Sequence, residues 1–179
     1  MKRLSVFCGS RTGIPTVFAE QARVLGKALS RRGIGLVFGA GHVGLMGVLA
    51  DAVRDGGGET IGVIPKSLVE RELAHDKLTE LCIVETMHER KALMATRADA
   101  FLALPGGFGT LDELFEILTW RQLRFHDKPI GLLNTAGFFD PLLAWIERAI
   151  VDDFVKPRTR ELLIVEQEVE PMLDRLFGT

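Results

Sequence analysis

Cysteine is scarce in this chain: Cys8 and Cys82 are the two present among 179 residues, and both lie in apolar, strand-like runs. They lack metal-ligand spacing, so buried thiols in a reducing compartment are expected, and with them a cytoplasmic location. The four histidines, His42, His75, His88 and His126, are scattered without HExxH or other zinc spacing, so no metal site is expected. A charge excess is missing too. Lys and Arg number 22 against 24 Asp and Glu, a formal net charge of −2. That balance argues against nucleic acid as a partner, but leaves room for a small anion held by a local cationic site. No run is long and uncharged enough to span a membrane, so no membrane partner is expected. Met1 to Cys8 superficially matches the start of a signal peptide. Its apolar run is too short and breaks at Gly9-Ser10-Arg11, so a first strand is the better reading. Linkers, repeats, low-complexity segments, a Ser-His-Asp arrangement and a nucleophile elbow are all absent.

What is present is core. Hydrophobic residues make up 47% and charged residues 26%, the balance of a globular chain, and the length fits one domain spanning residues 1–179. Short apolar runs at 4–8, 34–38, 60–64, 81–84, 100–104 and 129–133 read as strands, with 162–165 as a further edge strand. Helical patterns alternate with them, near 15–32, 45–54, 87–97, 111–124 and 138–151, with a short one at the C-terminus. This βαβ rhythm predicts an α/β fold: a Rossmann-like, doubly wound parallel sheet with helices on both faces, in three α/β/α layers. The wholly apolar strands suit a sheet buried on both sides. Residues 66–80, irregular and charged, are expected to form a surface loop or a mobile flap.

Glycine loops follow three strands: Gly9-Ser10-Arg11-Thr12-Gly13, then Gly39-Ala40-Gly41-His42-Val43-Gly44-Leu45-Met46-Gly47, then Pro105-Gly106-Gly107-Phe108-Gly109-Thr110. In an open parallel sheet all three fall at the carboxyl edge, where such folds bind ligands. The third loop runs into a helix and suits a phosphate: bare N–H groups, a hydroxyl, and a carboxylate one turn in. The second contains G-x-G-x-x-G, with Glu59 at the distance of a ribose-binding acid. It follows the second strand rather than the first, so a nicotinamide (NAD) site is a weak alternative. Thr110-Leu111-Asp112-Glu113 also reads as a capping box, with Thr110 as N-cap and Glu113 at the third helical position. That box alone would explain Glu113 without chemistry. On the helix from Met87, residues Met87, Arg90, Lys91 and Met94 share one face. Two cations on a partly covered face call for an anionic ligand or a catalytic carboxylate. The bland alternatives are snorkelling to solvent and an internal ion pair.

Together, Gly41-His42-Val43-Gly44-Leu45-Met46-Gly47, Met87-His88-Glu89-Arg90-Lys91 and Pro105 to Thr110 with Glu113 resemble the LOG ("lonely guy") family. Its members are cytokinin riboside 5′-monophosphate phosphoribohydrolases, long mislabelled as lysine decarboxylases. The resemblance runs from Cys8 to at least Asn134. It implies a Rossmann-like homodimer that cleaves the N-glycosidic bond of AMP or an N6-substituted AMP. The products are the free base and ribose 5-phosphate, and no cofactor is implied. Arg90 and Glu113 match the catalytic pair. Gly106, Gly107, Gly109 and Thr110 match the phosphate turn, and Lys91 a position near the nucleotide. Gly9, Ser10, Gly41 and Met87 complete the candidate binding set. Two positions depart from the family pattern: Ala40, where a glycine is common, and Asp112, where glutamate is common. The rivals are a non-catalytic nucleotide-binding module and an NAD-dependent enzyme built on the Gly39 loop. A decarboxylase is disfavoured because neither Lys91 nor Lys128 lies in a recognisable pyridoxal phosphate setting.

Overall fold

The apolar runs become one sheet because each can bury both of its faces. In the computed structural model, which describes residues 1–72 and 74–178, they form β1 (Arg3–Phe7), β2 (Gly35–Phe38), β3 (Thr60–Pro65), β4 (Glu80–Val84), β5 (Ala100–Ala103), β6 (Ile130–Leu133) and β7 (Leu163–Glu166). The strand order is β4-β3-β2-β1-β5-β6-β7, and every pairing is parallel. The chain winds outward from β1 in one direction, then returns to β5 and winds out in the other. The reversal lies between β1 and β5, in register from Leu4 beside Ala100 to Phe7 beside Ala103. The crevice above such a reversal is where open α/β sheets hold ligands.

Helices cover both faces. On one, α1 (Val17–Arg32), α2 (Gly44–Asp55) and α8 (Val169–Phe177) bury Leu25, Leu49 and Leu173 against Leu4, Val6, Leu36 and Phe38. On the other, α4 (Met87–Arg97), α5 (Phe108–Gln122) and α6 (Asp140–Val151) bury Met94, Leu114 and Ile146 against Val37, Val63, Phe101 and Leu132. The expected three layers are therefore present. α1 and α2 approach closely because Gly26 lacks a side chain; a Cβ there would lie 2.6 Å from that of Ala52. Among the described residues, no helix is long and apolar enough to cross a membrane.

Three helix ends share one geometry with different residues. In the Schellman turn the first residue past the cap adopts positive φ, which glycine tolerates best. α1 ends this way at Gly33 (φ 65°), with Gly33 N–H donating to Ser30 O and Ile34 N–H to Leu29 O. α5 ends identically on Arg124 (φ 66°), with bonds to Arg121 O and from Phe125 N–H to Trp120 O. α6 does so on Asp153 (φ 61°).

The expected loop at 66–80 contains a helix, α3 (Lys66–Glu72), followed by an isolated bridge between Ala74 and Gly41. His75 is buried there, held through its Nε2 by Asp51 Oδ1 at 3.2 Å and through its backbone N–H by Ala40 O. Leu73 lies outside the described residues. A short helix α7 (Pro157–Arg160), also absent from the expectation, precedes β7.

Candidate active site at the carboxyl edge

The three glycine loops meet above the sheet reversal. Gly9 N–H donates to Pro105 O at 3.1 Å, and Leu45 N–H donates to Gly9 O at 3.0 Å, tying all three together. The packing allows no side chains at the joints. A Cβ on Gly44, which has φ 66°, would stand 2.2 Å from the Ser10 carbonyl carbon, and one on Gly106 would stand 2.0 Å from Thr110 Oγ1. Between the first and third loops lies a cavity of about 240 Å³. Gly9, Ser10, Arg11, Gly106 and Gly107 line it, with Phe18, Leu45 and Phe138 as apolar wall. Arg11 is the cation there, and it was missed in the sequence. Its signal was available: a lone arginine inside the first glycine loop.

Gly107 and Gly109 differ from the other glycines of the site. Neither has positive φ, and a Cβ on either would meet nothing within 4 Å. Packing inside this chain does not require glycine there, and the space above them is open. They form the start of α5, whose N-cap is Gly107 and whose first turn has no side-chain cap. An uncapped first turn presents N–H donors and the positive end of the helix dipole.

This overturns the expected capping box. α5 begins at Phe108, not Leu111, so Thr110 is the third helical residue rather than the N-cap, and Glu113 stands a further turn along. Thr110 is buried at 4% exposure, its hydroxyl pressed against Gly106. Glu113 is half-buried and close enough to the end of β1 for its charge to reach Cys8. Burial first, and then that carboxylate, push the Cys8 thiol far up, so Cys8 stays a neutral thiol. Side-chain caps do form on α4: Thr86 Oγ1 accepts from Glu89 N–H at 3.1 Å, and Glu89 Oε2 accepts from Glu85 N–H at 2.9 Å. The spacing of Thr86-Met87-His88-Glu89 is their signal in the sequence.

The two cations of α4 are satisfied differently. Arg90, 6% exposed, donates from Nε to Val63 O at 3.1 Å and from Nη2 to Gly39 O at 2.9 Å, at the carboxyl ends of β3 and β2. Its Nη1 lies 3.7 Å from Met87 Sδ. Gly39 is glycine for this reason, since a Cβ would lie 1.9 Å from Arg90 Nη2. Gly41 makes room for Met46 in the same way. Lys91 forms the internal ion pair of the bland alternative, reaching Asp112 at 3.1 Å and Glu116 at 3.2 Å. Burial works to lower its pKa, but the two carboxylates outweigh it and the net shift is upward. Lys91 thus clamps α4 to α5. His42 and His88 are exposed.

Glu59 is not a ribose-binding acid. It precedes β3 at the amino edge and pairs with Arg3 at 2.7 Å, across the sheet from the glycine loops. The glycines of the second loop serve Arg90, Met46 and the Ser10-Arg11 backbone. The NAD alternative loses the acid that supported it.

A family model described as "Possible lysine decarboxylase" matches residues 46–176. The cytokinin riboside 5′-monophosphate phosphoribohydrolase LOG of Oryza sativa subsp. japonica is 51% identical over 163 residues, covering 91% of this chain and 67% of that protein. A cytokinin riboside 5′-monophosphate phosphoribohydrolase of Arabidopsis thaliana is 46% identical over 175 residues, covering 98% of this chain and 81% of that protein. The chain belongs to the LOG family. Among solved structures, the molybdenum cofactor binding protein from Rippkaea orientalis superposes with a TM-score of 0.75 at 19% identity, covering 99% of this chain and 96% of that one. The molybdenum cofactor carrier protein from Chlamydomonas reinhardtii gives 0.73 at 21%, covering 99% of each chain. At those identities the likeness is one of fold. In this LOG-family chain both lysines weighed against a decarboxylase are engaged: Lys91 in its clamp and Lys128 Nζ on Ala95 O at 2.8 Å.

Proposed function

We propose that this LOG-family chain hydrolyses the N-glycosidic bond of AMP or an N6-substituted AMP, releasing the free base and ribose 5-phosphate. The observation that carries the reading is the start of α5. Gly107 and Gly109 are glycine where packing does not ask for it, at an uncapped helix N-terminus beside a cavity. A 5′-phosphate fits that chemistry, held by the N–H groups from Gly106 to Thr110 with Ser10 and Gly9 opposite and Arg11 as counter-charge. Anchoring the phosphate fixes the ribose for reaction. Gly41 and Met87 border the same edge.

Breaking the C1′–N9 bond leaves positive charge on the ribose, as in glycoside hydrolysis. Glu113, a turn past the start of α5, stabilises that charge and takes a proton from the attacking water; the water oxygen bonds to C1′ as the C1′–N9 bond breaks, its electron pair leaves with the base, and solvent protonates the base and receives the proton back from Glu113. Arg90, fixed by two carbonyls, is the rigid cation at the same edge of the sheet. Lys91 holds α4 and α5 together, so that Arg90 and Glu113 keep their places. One nucleotide-binding unit over residues 1–179, assembled as a cytoplasmic homodimer, completes the reading.

The test is incubation with AMP and with N6-isopentenyl-AMP, followed by chromatography. Free base and ribose 5-phosphate are expected from at least one. Intact nucleotide in both, at high protein concentration, refutes the proposal. Tight AMP binding without products would instead establish the non-catalytic binding module.

A further inference from the structure

A second cavity, of about 750 Å³, lies at the far end of α5, and nothing in the proposed reaction uses it. It opens where α5 ends, against α7 and the segment leading into β7, at the amino edge of the sheet. Four cations line it: Arg121 from the last turn of α5, Arg124 from the Schellman turn, and Lys156 and Arg158 at the start of α7. Asp127 is the one acid in the lining. Elsewhere in the molecule Arg3, Arg32, Arg54, Lys91, Arg97 and Arg160 each find a carboxylate. Among the described residues none of these four forms an ion pair. Arg121 is half-buried and donates to Leu162 O at 3.0 Å, which fixes it as the back wall. Burial pushes its pKa down, with the charge of Asp127 opposing. A half-buried guanidinium at the back of a concave surface rimmed by three exposed cations concentrates positive potential there.

We infer that this cavity binds a linear oligophosphate, the triphosphate chain of a nucleotide or inorganic tripolyphosphate. Four cations from two chain segments exceed what a single phosphate can contact, and they match a chain of phosphates carrying several charges. The volume lies in the range of small-ligand sites, on the order of 300–1,000 Å³. Concavity favours such a ligand over an acidic protein surface. The site lies at the opposite end of α5 from Glu113, and it stands independently of the reaction proposed above.

Calorimetry and thermal melts on the full chain test it, with tripolyphosphate, ATP and sulfate compared at matched ionic strength. Tripolyphosphate and ATP are expected to bind at least about tenfold more tightly than sulfate, weakening as salt is raised. Equal affinities for the two assign recognition to the phosphates alone; tighter ATP binding adds contacts to the nucleoside. Lys156→Glu with Arg158→Glu, both at exposed positions, should lower tripolyphosphate affinity by about tenfold or more. That variant should keep the wild-type melting temperature and AMP turnover. The Ala versions of both substitutions supply a milder check on folding. Sulfate binding as tightly as tripolyphosphate, no binding of tripolyphosphate, or undiminished binding by the double variants would each overturn the inference.

Discussion

Gly39→Ala is a change of one methyl group with a consequence that can be worked out. The added carbon would lie 1.9 Å from Arg90 Nη2 and 3.1 Å from its Cζ. The guanidinium must therefore retreat by more than an ångström. The bond from Nη2 to Gly39 O at 2.9 Å cannot survive that, and the one from Nε to Val63 O at 3.1 Å is strained. A hydrogen bond to a charged group contributes about 1.5–3 kcal/mol, and a buried guanidinium left short of partners adds to the loss. The reduced entropy of the unfolded chain with Ala returns about 0.4–1 kcal/mol. The net destabilisation is about 1–3 kcal/mol, which for a chain of this size lowers Tm by roughly 3–10 °C. Because Arg90 is displaced, AMP turnover should fall with it. Differential scanning calorimetry and the base-release assay read the two effects. A variant with unchanged Tm and unchanged turnover would refute the role assigned to Arg90's anchoring.

Three other perturbations follow from particular contacts. Arg124→Gly should raise stability by about 0.5–1 kcal/mol, because it places glycine at a left-handed position where α1 already uses Gly33; urea denaturation measures it. Lys91→Met should cost about 1–2 kcal/mol by leaving Asp112 and Glu116 without their cation; a raised KM for AMP with unchanged Tm would show instead that Lys91 serves the nucleotide. His126 has a lowered pKa, chiefly through burial, with Arg121 and Lys128 adding repulsion and Ile117 O opposing. The folded state therefore resists a proton that the unfolded state accepts near pH 6.5, so the contribution is complete above about pH 6.5 and is lost as pH falls through the folded value. Denaturation midpoints of wild type and His126→Phe should converge or cross below that pH, and parallel curves would contradict the assignment.

The fold was legible because its strands are apolar on both faces, a pattern few other architectures tolerate. The approximate meeting place of the three glycine loops followed from topology alone. What was not legible depended on contacts across the sheet edge. Thr110 to Glu113 has the spacing of a capping box, but the helix starts at Phe108, with the extended Gly107 as its N-cap. The N-cap that does form, Thr86 with Glu89, has the same spacing, and local sequence does not rank the two. Glu59 had the right separation for a ribose acid, but separation along the chain says nothing about which edge it occupies. It precedes a parallel strand, so it lies at the amino end, opposite the loops. Lys91 and Arg90 looked equivalent on one helix face; their partners come from α5, β2 and β3, three elements distant in sequence.

The central claim is that the glycine turn holds the nucleotide while Glu113 performs the chemistry. Its most direct measurement pairs AMP binding by calorimetry with base release for Glu113→Gln. Binding should remain within about threefold of wild type, while turnover falls by about a thousandfold at unchanged Tm. A Glu113→Gln protein that turns over AMP at the wild-type rate but melts at a lower temperature would contradict it, and would return Glu113 to a structural role.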